Sequence, residues 1–307
     1  MTIQFTKYSK FYYIFSGILI LAAITSLIFF GLKFGIEFTG GSSMEIEFQG
    51  ERPSNDAIQQ VITEFNLGDT VIQPIGQAEM ILKFKGIDEP THQQILSKLK
   101  GSFNIEEKKF EFIGPVVGKE LERKTEIAVI LSLLAITLYI TFAFRKISWP
   151  VSSWQYGLAS LIALFHDILV PLGVFSILGH FYNIEITIPI VAALLTILGY
   201  SVHDTIVIFD RIRENILRKG LPSFQETVNW SLNQTLGRSI STVFTVLLVL
   251  FAIFFFGGQS LKYFSLALIV GITCGAYSSI FIASSLLVTW YKGKEQKMGK
   301  IEPKRKK

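Results

Sequence analysis

The 307-residue chain is rich in apolar residues, since 50% are hydrophobic, only 17% are charged and the mean hydropathy is +0.45. This balance excludes an ordinary soluble globular protein and predicts a chain that crosses a membrane several times. The formal charge of +5 comes from basic residues at the ends of apolar runs, which indicates membrane orientation and excludes nucleic-acid binding. The single cysteine, Cys274, excludes an intrachain disulfide, and with only four histidines we predict neither a metal site nor a cofactor.

Apolar runs long enough to span a bilayer recur along the chain. The first follows Lys7 and Lys10 and is longer than the apolar part of a signal peptide, so we predict an uncleaved span. The six predicted spans are Tyr13 to Gly31, Ile127 to Phe144, Trp154 to Leu178, Ile186 to Phe209, Ile240 to Phe256 and Tyr263 to Trp290.

Most basic residues of the short connections fall on one side of these spans, and the opposite loops, GHFYNIE and FFGGQSLKYF, carry one lysine between them. The basic residues on the first side are Lys7, Lys10, Arg145, Lys146, Arg211, Arg213, Arg218, Lys219 and the C-terminal KRKK. Because positively charged loops stay in the cytoplasm, we predict that both termini are cytoplasmic. The predicted division is a cytoplasmic N-terminus with the first span at 1–32, an external domain at 33–125, a five-helix core at 126–290 and a basic cytoplasmic tail at 291–307.

The segment between the first two spans has the pattern of a folded domain. SSMEIEF alternates as a strand does, and Ser54 can cap the helix AIQQVITEF that follows. TVIQP and MILKFK predict two more strands, Pro90 opens a second helix, and NIEEKKFEFIG predicts a last strand. The order βαββαβ predicts a small ferredoxin-like α+β domain outside the membrane. It contains no enzyme motif, so we predict that the protein is not an enzyme.

Asp204 lies inside the fourth apolar run, where a charged side chain costs about 2.5 to 3.5 kcal/mol on insertion scales. Tyr200 and Ser201 share its helix face at spacings of four and three residues, so this face should point into protein and not lipid. An ionisable residue at such a place is by default a functional-site hypothesis. The alternative is a buried polar residue that is hydrogen-bonded and inert.

Two other spans also carry polar groups. In the third, Pro171 deprives the carbonyl of Asp167 of its helical hydrogen bond, which predicts a local break; His166 and Asp167 are either a functional pair or a structural polar knot. Arg238 begins the fifth span in a polar stripe with Thr242 and Thr245, and it either meets Asp204 or extends to lipid headgroups.

Two further patterns concern packing and the membrane surface. The stretch LPSFQETVNWSLNQTL, before Arg238, predicts an amphipathic helix at the cytoplasmic surface. In the last span Gly271, Gly275 and Ser279 recur at every fourth residue, which predicts a close approach to another helix. A Gly-rich phosphate loop and an ATPase motif are absent from the sequence, so energy must come from outside the chain or from an ion gradient.

Five segments together carry a family resemblance. They are GIEFTGG at 35–41, GPVVG at 114–118, ALFHD at 163–167, GYSVHDTIVIFDRIREN at 199–215 and YFSLALIVGITCGAYSSIFIAS at 263–284. The chain resembles the SecF family, the smaller membrane subunit of the SecD and SecF protein-export complex, and the most specific element is HDTIVIFDRIREN. The first motif supplies Gly35, Glu37, Gly40 and Gly41, although the family more often has Asp in place of Glu37, and Asn is frequent in place of His203.

The resemblance implies the fold of the resistance, nodulation and division superfamily, in which two six-span halves pair and use the proton-motive force. SecD would supply the other half, in the bacterial cytoplasmic membrane, and the pair would assist the Sec channel and its associated subunits in moving exported polypeptides. By similarity Asp204 matches the proton-carrying carboxylate of the family and Arg238 its essential arginine. Apart from these proteins we expect contact with membrane lipid and none with nucleic acid.

Three other functions compete with a proton-driven export motor. A passive assembly or scaffolding subunit would tolerate Asp204→Asn, and half of a small-molecule proton-coupled exporter would use the same carboxylate for another cargo. An intramembrane hydrolase would need His166 or His203 with an Asp or with Ser201, but these residues lack the spacing of a nucleophile, base and orienting group.

Overall fold

The computed structural model describes residues 3–68, 70–145, 150–219 and 223–301. Lys146, the C-terminal KRKK and the first two residues of the predicted LPSFQETVNWSLNQTL helix lie outside the described residues. The chain divides into two compact units. The helical unit comprises Met1–Gly31, Ala128–Ile177 and Pro189–Lys307, and the domain unit comprises Leu32–Ile127 and Leu178–Ile188.

Ten α-helices are found in the described residues. They are α1 (Ser9–Phe30), α2 (Ile36–Thr39), α3 (Asn55–Ile62), α4 (Glu89–Ser102), α5 (Pro115–Ala143), α6 (Ser153–Tyr182), α7 (Ile188–Lys219), α8 (Phe224–Phe256), α9 (Gln259–Tyr277) and α10 (Ser284–Ile301). Short 3₁₀ segments occur at Phe5–Tyr8 and Thr63–Phe65, and a π-helical segment, Ser278–Ala283, joins α9 to α10.

Six helical stretches of the described chain are long and apolar enough to cross a membrane, which confirms the prediction of a polytopic helical protein. They are Phe5–Phe30, Pro115–Ala143, Ser153–Tyr182, Ile188–Arg218, Phe224–Phe256 and Leu261–Glu295. The most apolar parts of the third, fourth and sixth stretches are 50%, 50% and 56% buried, against 17%, 6% and 11% for the first, second and fifth. Three helices thus form the centre of the helical unit, and three present apolar surface outward, as contact with lipid or another protein requires.

The domain unit contains the predicted βαββαβ arrangement. Its strands are β1 (Gly41–Phe48), β2 (Val71–Ile75), β3 (Glu79–Phe84) and β4 (Ile105–Ile113), ordered β2-β3-β1-β4 with antiparallel neighbours. In β1 the inward residues alternate, so that Met44 pairs with Leu82 and Ile46 with Met80 in one buried layer. α3 and α4 cover this layer with Ile58, Ile62, Ile95 and Leu99. Ser54 caps α3, as predicted, by accepting a hydrogen bond from the Ala57 amide.

Aromatic side chains of α6, of α7 and of the residue that follows α5 pack together in the helical unit. Phe144 stacks on Tyr156 with ring centroids 5.2 Å apart, and Phe209 meets Tyr156 edge-on at 5.1 Å. The N-terminal residues join the same unit, because the amide and hydroxyl of Thr6 both donate to Asn229 Oδ1 at 3.0 Å.

Two expectations about helix boundaries are wrong. α6 continues through Pro171 without the predicted break, because losing one backbone hydrogen bond does not end a helix whose flanks are held by neighbouring helices. The predicted surface helix and fifth span form one continuous helix, α8, which Ser223 caps by accepting from the Glu226 amide. Between Phe224 and Phe256 the sequence has no proline, and its one glycine is insufficient to stop the helix.

Candidate functional site

Asp204 is buried in the helical unit, with only 6% of its surface exposed. Its Oδ1 accepts a long hydrogen bond of 3.4 Å from the hydroxyl of Ser239 on α8. Its Oδ2 is buried and has no hydrogen-bond partner among the described residues. Tyr200, one turn earlier on α7, also has a buried hydroxyl without a partner in the described chain. Burying a carboxyl oxygen without a donor is costly, and such groups in native proteins call for a functional explanation.

Arg238 lies next to Ser239 on α8, but its side chain is exposed and forms no ion pair with Asp204. The sequence left open a direct ion pair between Asp204 and Arg238, and the structure does not contain this pair. Thr242 is half-buried, and its hydroxyl donates to the Arg238 carbonyl at 2.8 Å, so it does not turn toward Asp204. Ser239 was not predicted as a site residue, since its place beside Arg238 is its only signal in the sequence.

His166 and Asp167 form a fully buried pair on α6, and they are 1% and 0% exposed. Asp167 Oδ1 lies 3.0 Å from His166 Nδ1, and Oδ2 accepts from Ser201 Oγ at 2.5 Å and from Ser278 Oγ at 2.7 Å. These hydroxyls come from α7 and from the π-helical segment. One carboxylate thus joins three helices, while His166 Nε2 is buried without a partner in the described part of the chain.

The close contact of α9 with α7 confirms the packing predicted for the last span. A Cβ at Gly275 would lie 2.9 Å from the Cβ of Ser201, and a Cβ at Gly271 would collide with the side chain of Ile197. Ser279, the third residue of this face, shares a 2.7 Å hydrogen bond with Thr205 and donates to the Ser201 carbonyl at 3.3 Å. Small residues therefore bring the two backbones close enough for their hydroxyls to bind each other.

His203 is exposed on α7, whereas Ser201 and Asp204 beside it are buried. Ser201 donates its hydroxyl to Asp167 rather than to a histidine, so a nucleophile, base and orienting group are not assembled. Clusters of three or more His, Cys, Asp or Glu side chains able to hold a metal ion are absent from the described residues. A buried carboxyl group such as that of Asp204 is chemically able to bind and release a proton, and among the described residues Ser201 is not placed to act with a histidine as its base.

The glycine motif at residues 35–41 belongs to the domain unit, where it joins three chain segments. Gly40 has φ +75°, and a Cβ there would lie 2.8 Å from the Cα of Pro115 at the start of α5. A Cβ at Gly118 would lie 2.6 Å from the carbonyl oxygen of Phe38. Gly41 has φ +148°, and a Cβ there would lie 2.9 Å from the carbonyl oxygen of Phe84. These glycines permit backbone contacts that any side chain would prevent.

The connection between α6 and α7 also packs on this motif. The amide of Gly35 donates to the Ile186 carbonyl at 2.9 Å, and the Ile186 amide donates to the Lys33 carbonyl at 2.6 Å. Lys83 on β3 forms a 2.6 Å ion pair with Glu185, whose side chain is 13% exposed. A residue larger than glycine at position 35 would meet both the Glu37 and Glu185 carboxylates.

Glu37 is half-buried in this junction, and burial raises the pKa of its carboxyl above the usual range, with Glu185 and Glu111 adding to the rise and Lys83 opposing it. Folding thus favours the protonated form. Since the native state binds more protons than the unfolded state between the two pKa values, stability falls as pH rises from about 4.3 through the native pKa.

We therefore predict that Glu37→Gln, which stays neutral, gains stability relative to the parent as pH rises through this window. Thermal unfolding of the purified protein at a series of pH values measures the difference. A difference that does not change with pH would contradict the prediction, and Glu106→Gln, an exposed glutamate of the same domain, is the matched control.

Two family models match this sequence. The model "Protein export membrane protein SecD/SecF, C-terminal" covers residues 92–293, and the "SecD/SecF GG Motif" covers residues 25–51. The protein translocase subunit SecF of Thermobaculum terrenum is 41% identical over 302 residues, covering 94% of each chain. That of Vibrio alginolyticus is 38% identical over 295 residues, covering 93% of this chain and 89% of the relative.

The fold is also similar to solved structures. The crystal structure of SecDF, a translocon-associated membrane protein from Thermus thermophilus, matches with a TM-score of 0.83 and 33% identity over 95% of this chain. SecDF in its super-membrane-facing form matches with a TM-score of 0.70 and 31% identity over 98% of this chain. The match covers 39% and 40% of those longer chains, so this chain spans about two fifths of SecDF.

Proposed function

The chain belongs to the SecD/SecF family of protein export membrane proteins, and we propose that, with a SecD partner, it uses the proton-motive force to assist polypeptide export through the Sec channel. In this proposal it is an export subunit and not an enzyme. Its cargo is an exported polypeptide, and its energy comes from protons that bind and leave Asp204.

The observation that carries this proposal is the carboxyl group of Asp204. It is 6% exposed, lies on a helix apolar enough to span a membrane, and has one oxygen without a partner in the described chain. A proton that binds there neutralises a costly charge, and its release restores it. Since a unit charge that crosses 100 mV carries about 2.3 kcal/mol, one proton supplies enough energy to shift helix packing.

A SecD partner would complete the membrane part. This chain corresponds to about two fifths of SecDF by structural coverage, 39% in one form and 40% in the other. Arg238 supports the same view, because it lies on an exposed face of an apolar helix, where a guanidinium needs a partner protein or the headgroup region. We assign this face of α8 to the partner, so that Arg238 acts beside Asp204 at the boundary of the two halves.

The test of this function is export into inverted membrane vesicles that contain the chain with its SecD partner. We expect an imposed proton gradient to increase the rate of export and an ionophore to remove the increase. Vesicles that lack this chain are the control for stimulation through other proteins. Export that is equally fast with and without the gradient would contradict the proposal, because both the passive scaffolding subunit and the small-molecule exporter predict that result.

We further propose a multi-pass inner-membrane protein with cytoplasmic termini and the domain at 33–125 outside. Cysteines at Gln59 and Lys98, both exposed in the domain unit, should react with an impermeant thiol reagent added to intact cells. A cysteine at the exposed Glu226 should react only after the membrane is opened. Replacing Cys274 with Ser removes the background, and labelling at Glu226 in intact cells would reverse the orientation.

A further inference from the structure

Asp167 differs from Asp204 in how its charge is compensated. Both carboxyl oxygens of Asp167 have hydrogen-bond partners: Oδ1 lies 3.0 Å from His166 Nδ1, and Oδ2 accepts from the hydroxyls of Ser201 and Ser278. Asp204 has one long contact, from Ser239, and an oxygen without a partner among the described residues. Protonation of Asp167 would weaken the hydrogen bonds that its carboxylate accepts from Ser201 and Ser278, whereas protonation of the second oxygen of Asp204 would disturb no hydrogen bond among the described residues.

The serines that donate to Asp167 lie in segments that also contact the helical turn of Asp204 on α7. Ser201 precedes Asp204 by three residues, so both lie on one face of adjacent helical turns. Ser278 is followed by Ser279, which binds the Ser201 carbonyl and the Thr205 hydroxyl. Thr205 is the residue after Asp204. Hydrogen bonds thus connect the turn that carries Asp204 to α6 and to the π-helical segment. Asp167 accepts two of them, from Ser201 and from Ser278.

The π-helical segment is part of this arrangement. Ser278 and Ser279 begin it, and Ser284 donates to the Ser279 carbonyl at 3.0 Å, five residues back, as the wider turn allows. π-helical turns are rare in proteins, and those that occur are often found at functional sites. Here the segment presents two consecutive serines to two different helices, Ser278 to α6 and Ser279 to α7.

We propose that Asp167 is a positioning residue for proton binding at Asp204, and that it does not carry protons itself. It holds the 201–205 turn of α7 through Ser201 and Ser278. The serine and threonine hydroxyls of this cluster are engaged with Asp167, with each other and with the α7 backbone, so they do not donate to the second oxygen of Asp204. The inference rests on the proposed function, since it concerns the same proton site. It assigns His166 and Asp167 to that function and not to a separate site.

Other ionisable groups also act on these two carboxyls. His203, Arg238 and Tyr200 interact electrostatically with Asp204, and Cys274 with Asp167. The His166 ring contacts the Asp167 carboxyl directly, with Nδ1 3.0 Å from Oδ1. A test must therefore remove the hydrogen bonds from the serine hydroxyls to Asp167 and keep all of these ionisable groups. Ser278→Ala and Ser201→Ala meet both conditions.

Labelling with dicyclohexylcarbodiimide, which reacts with protonated carboxyl groups in apolar surroundings, measures protonation without using export as the readout. The full chain is labelled in membranes with its SecD partner over a range of pH, and mass spectrometry locates the modified residue. We expect labelling at Asp204 and none at Asp167. Ser278→Ala and Asp167→Asn should shift the pH midpoint of Asp204 labelling by at least about 0.5 unit, or about 0.7 kcal/mol at 1.36 kcal/mol per unit. Ser278→Thr, which keeps the hydroxyl, should restore it.

The matched control is Ser265→Ala, since Ser265 is a buried α9 serine whose hydroxyl donates to the Lys262 carbonyl, outside this cluster. An unchanged midpoint in Ser278→Ala and Ser201→Ala would overturn the inference, even if Asp167→Asn fails to fold. Labelling of Asp167 in the parent would overturn it too, because Asp167 would then carry protons. Absence of labelling at Asp204 in the parent at every pH would overturn both the proposed function and this inference. The two outcomes described before it would overturn the inference alone.

Discussion

Asp204→Asn is expected to abolish the stimulation of export by a proton gradient, leaving the rate at its value without the gradient. The amide keeps the size of the side chain and an oxygen that can accept from Ser239, but it cannot bind and release a proton. Insertion and association with the partner should persist, because a neutral amide costs less to bury than a carboxylate. Export into inverted vesicles, with and without the gradient, measures the effect.

The matched control is Asp210→Asn, the same change two turns further along α7. The Asp210 side chain is 66% exposed and lies 3.7 Å from Arg213, so it carries an ordinary surface charge. Surface pairs of this kind contribute about 0 to 1 kcal/mol, and the variant should keep full stimulation. Equal behaviour of the two variants, with stimulation retained in both, would return Asp204 to a structural role.

The geometry changes what is expected of Arg238. A direct Asp204–Arg238 pair would make the double variant more stable than either single one, because each single variant would leave a buried charge alone. Arg238 is exposed and does not pair with Asp204 in this chain, so we expect no such recovery. Loss of export in Arg238→Met would then reflect the boundary with the partner, and Arg238→Lys, which keeps the charge, should retain part of the function.

The elements that depend on local pattern were predictable from the sequence. Hydropathy alone predicted the six helical stretches of the described chain that are long and apolar enough to cross a membrane, and alternation of apolar residues predicted the strands of the domain. The cost of burying a charge identified Asp204, and the spacing of Gly271 and Gly275 predicted a close helix contact. Each of these signals lies within one helix or strand.

The contacts between distant segments were not predictable in the same way. Asp167 and Ser278 are 111 residues apart, and the intervening pattern does not show that they bind. The packing of residues 178–188 on the glycine motif depends on backbone hydrogen bonds, which any residue other than proline can make. The predicted break at Pro171 failed for a related reason, since a local penalty at one residue was outweighed by contacts that the rest of the fold supplies.

The contact between α1 and α6 is another such feature, and it gives the second large effect. A Cβ at Gly173 on α6 would lie 2.6 Å from both the Cα and the Cβ of Ala23 on α1. Two hydrogen bonds depend on this approach, from Ser26 Oγ to the Gly173 carbonyl at 3.1 Å and from Ser176 Oγ to the Ser26 carbonyl at 2.8 Å. The backbone of α1 cannot rotate away as a side chain can, so the helices must separate to admit a methyl group.

Gly173→Ala is therefore expected to destabilise the protein by about 1 to 3 kcal/mol, the usual cost of adding atoms to a packed site. Loss of the two buried hydroxyl contacts would increase that cost. The measurement is thermal unfolding of the purified protein, compared with Gly199→Ala on α7, where a Cβ would meet nothing within 4 Å. This control should be neutral or gain up to about 1 kcal/mol, because alanine favours helix over glycine. If the two variants melt alike, α1 does not approach α6 as closely as the structure has it.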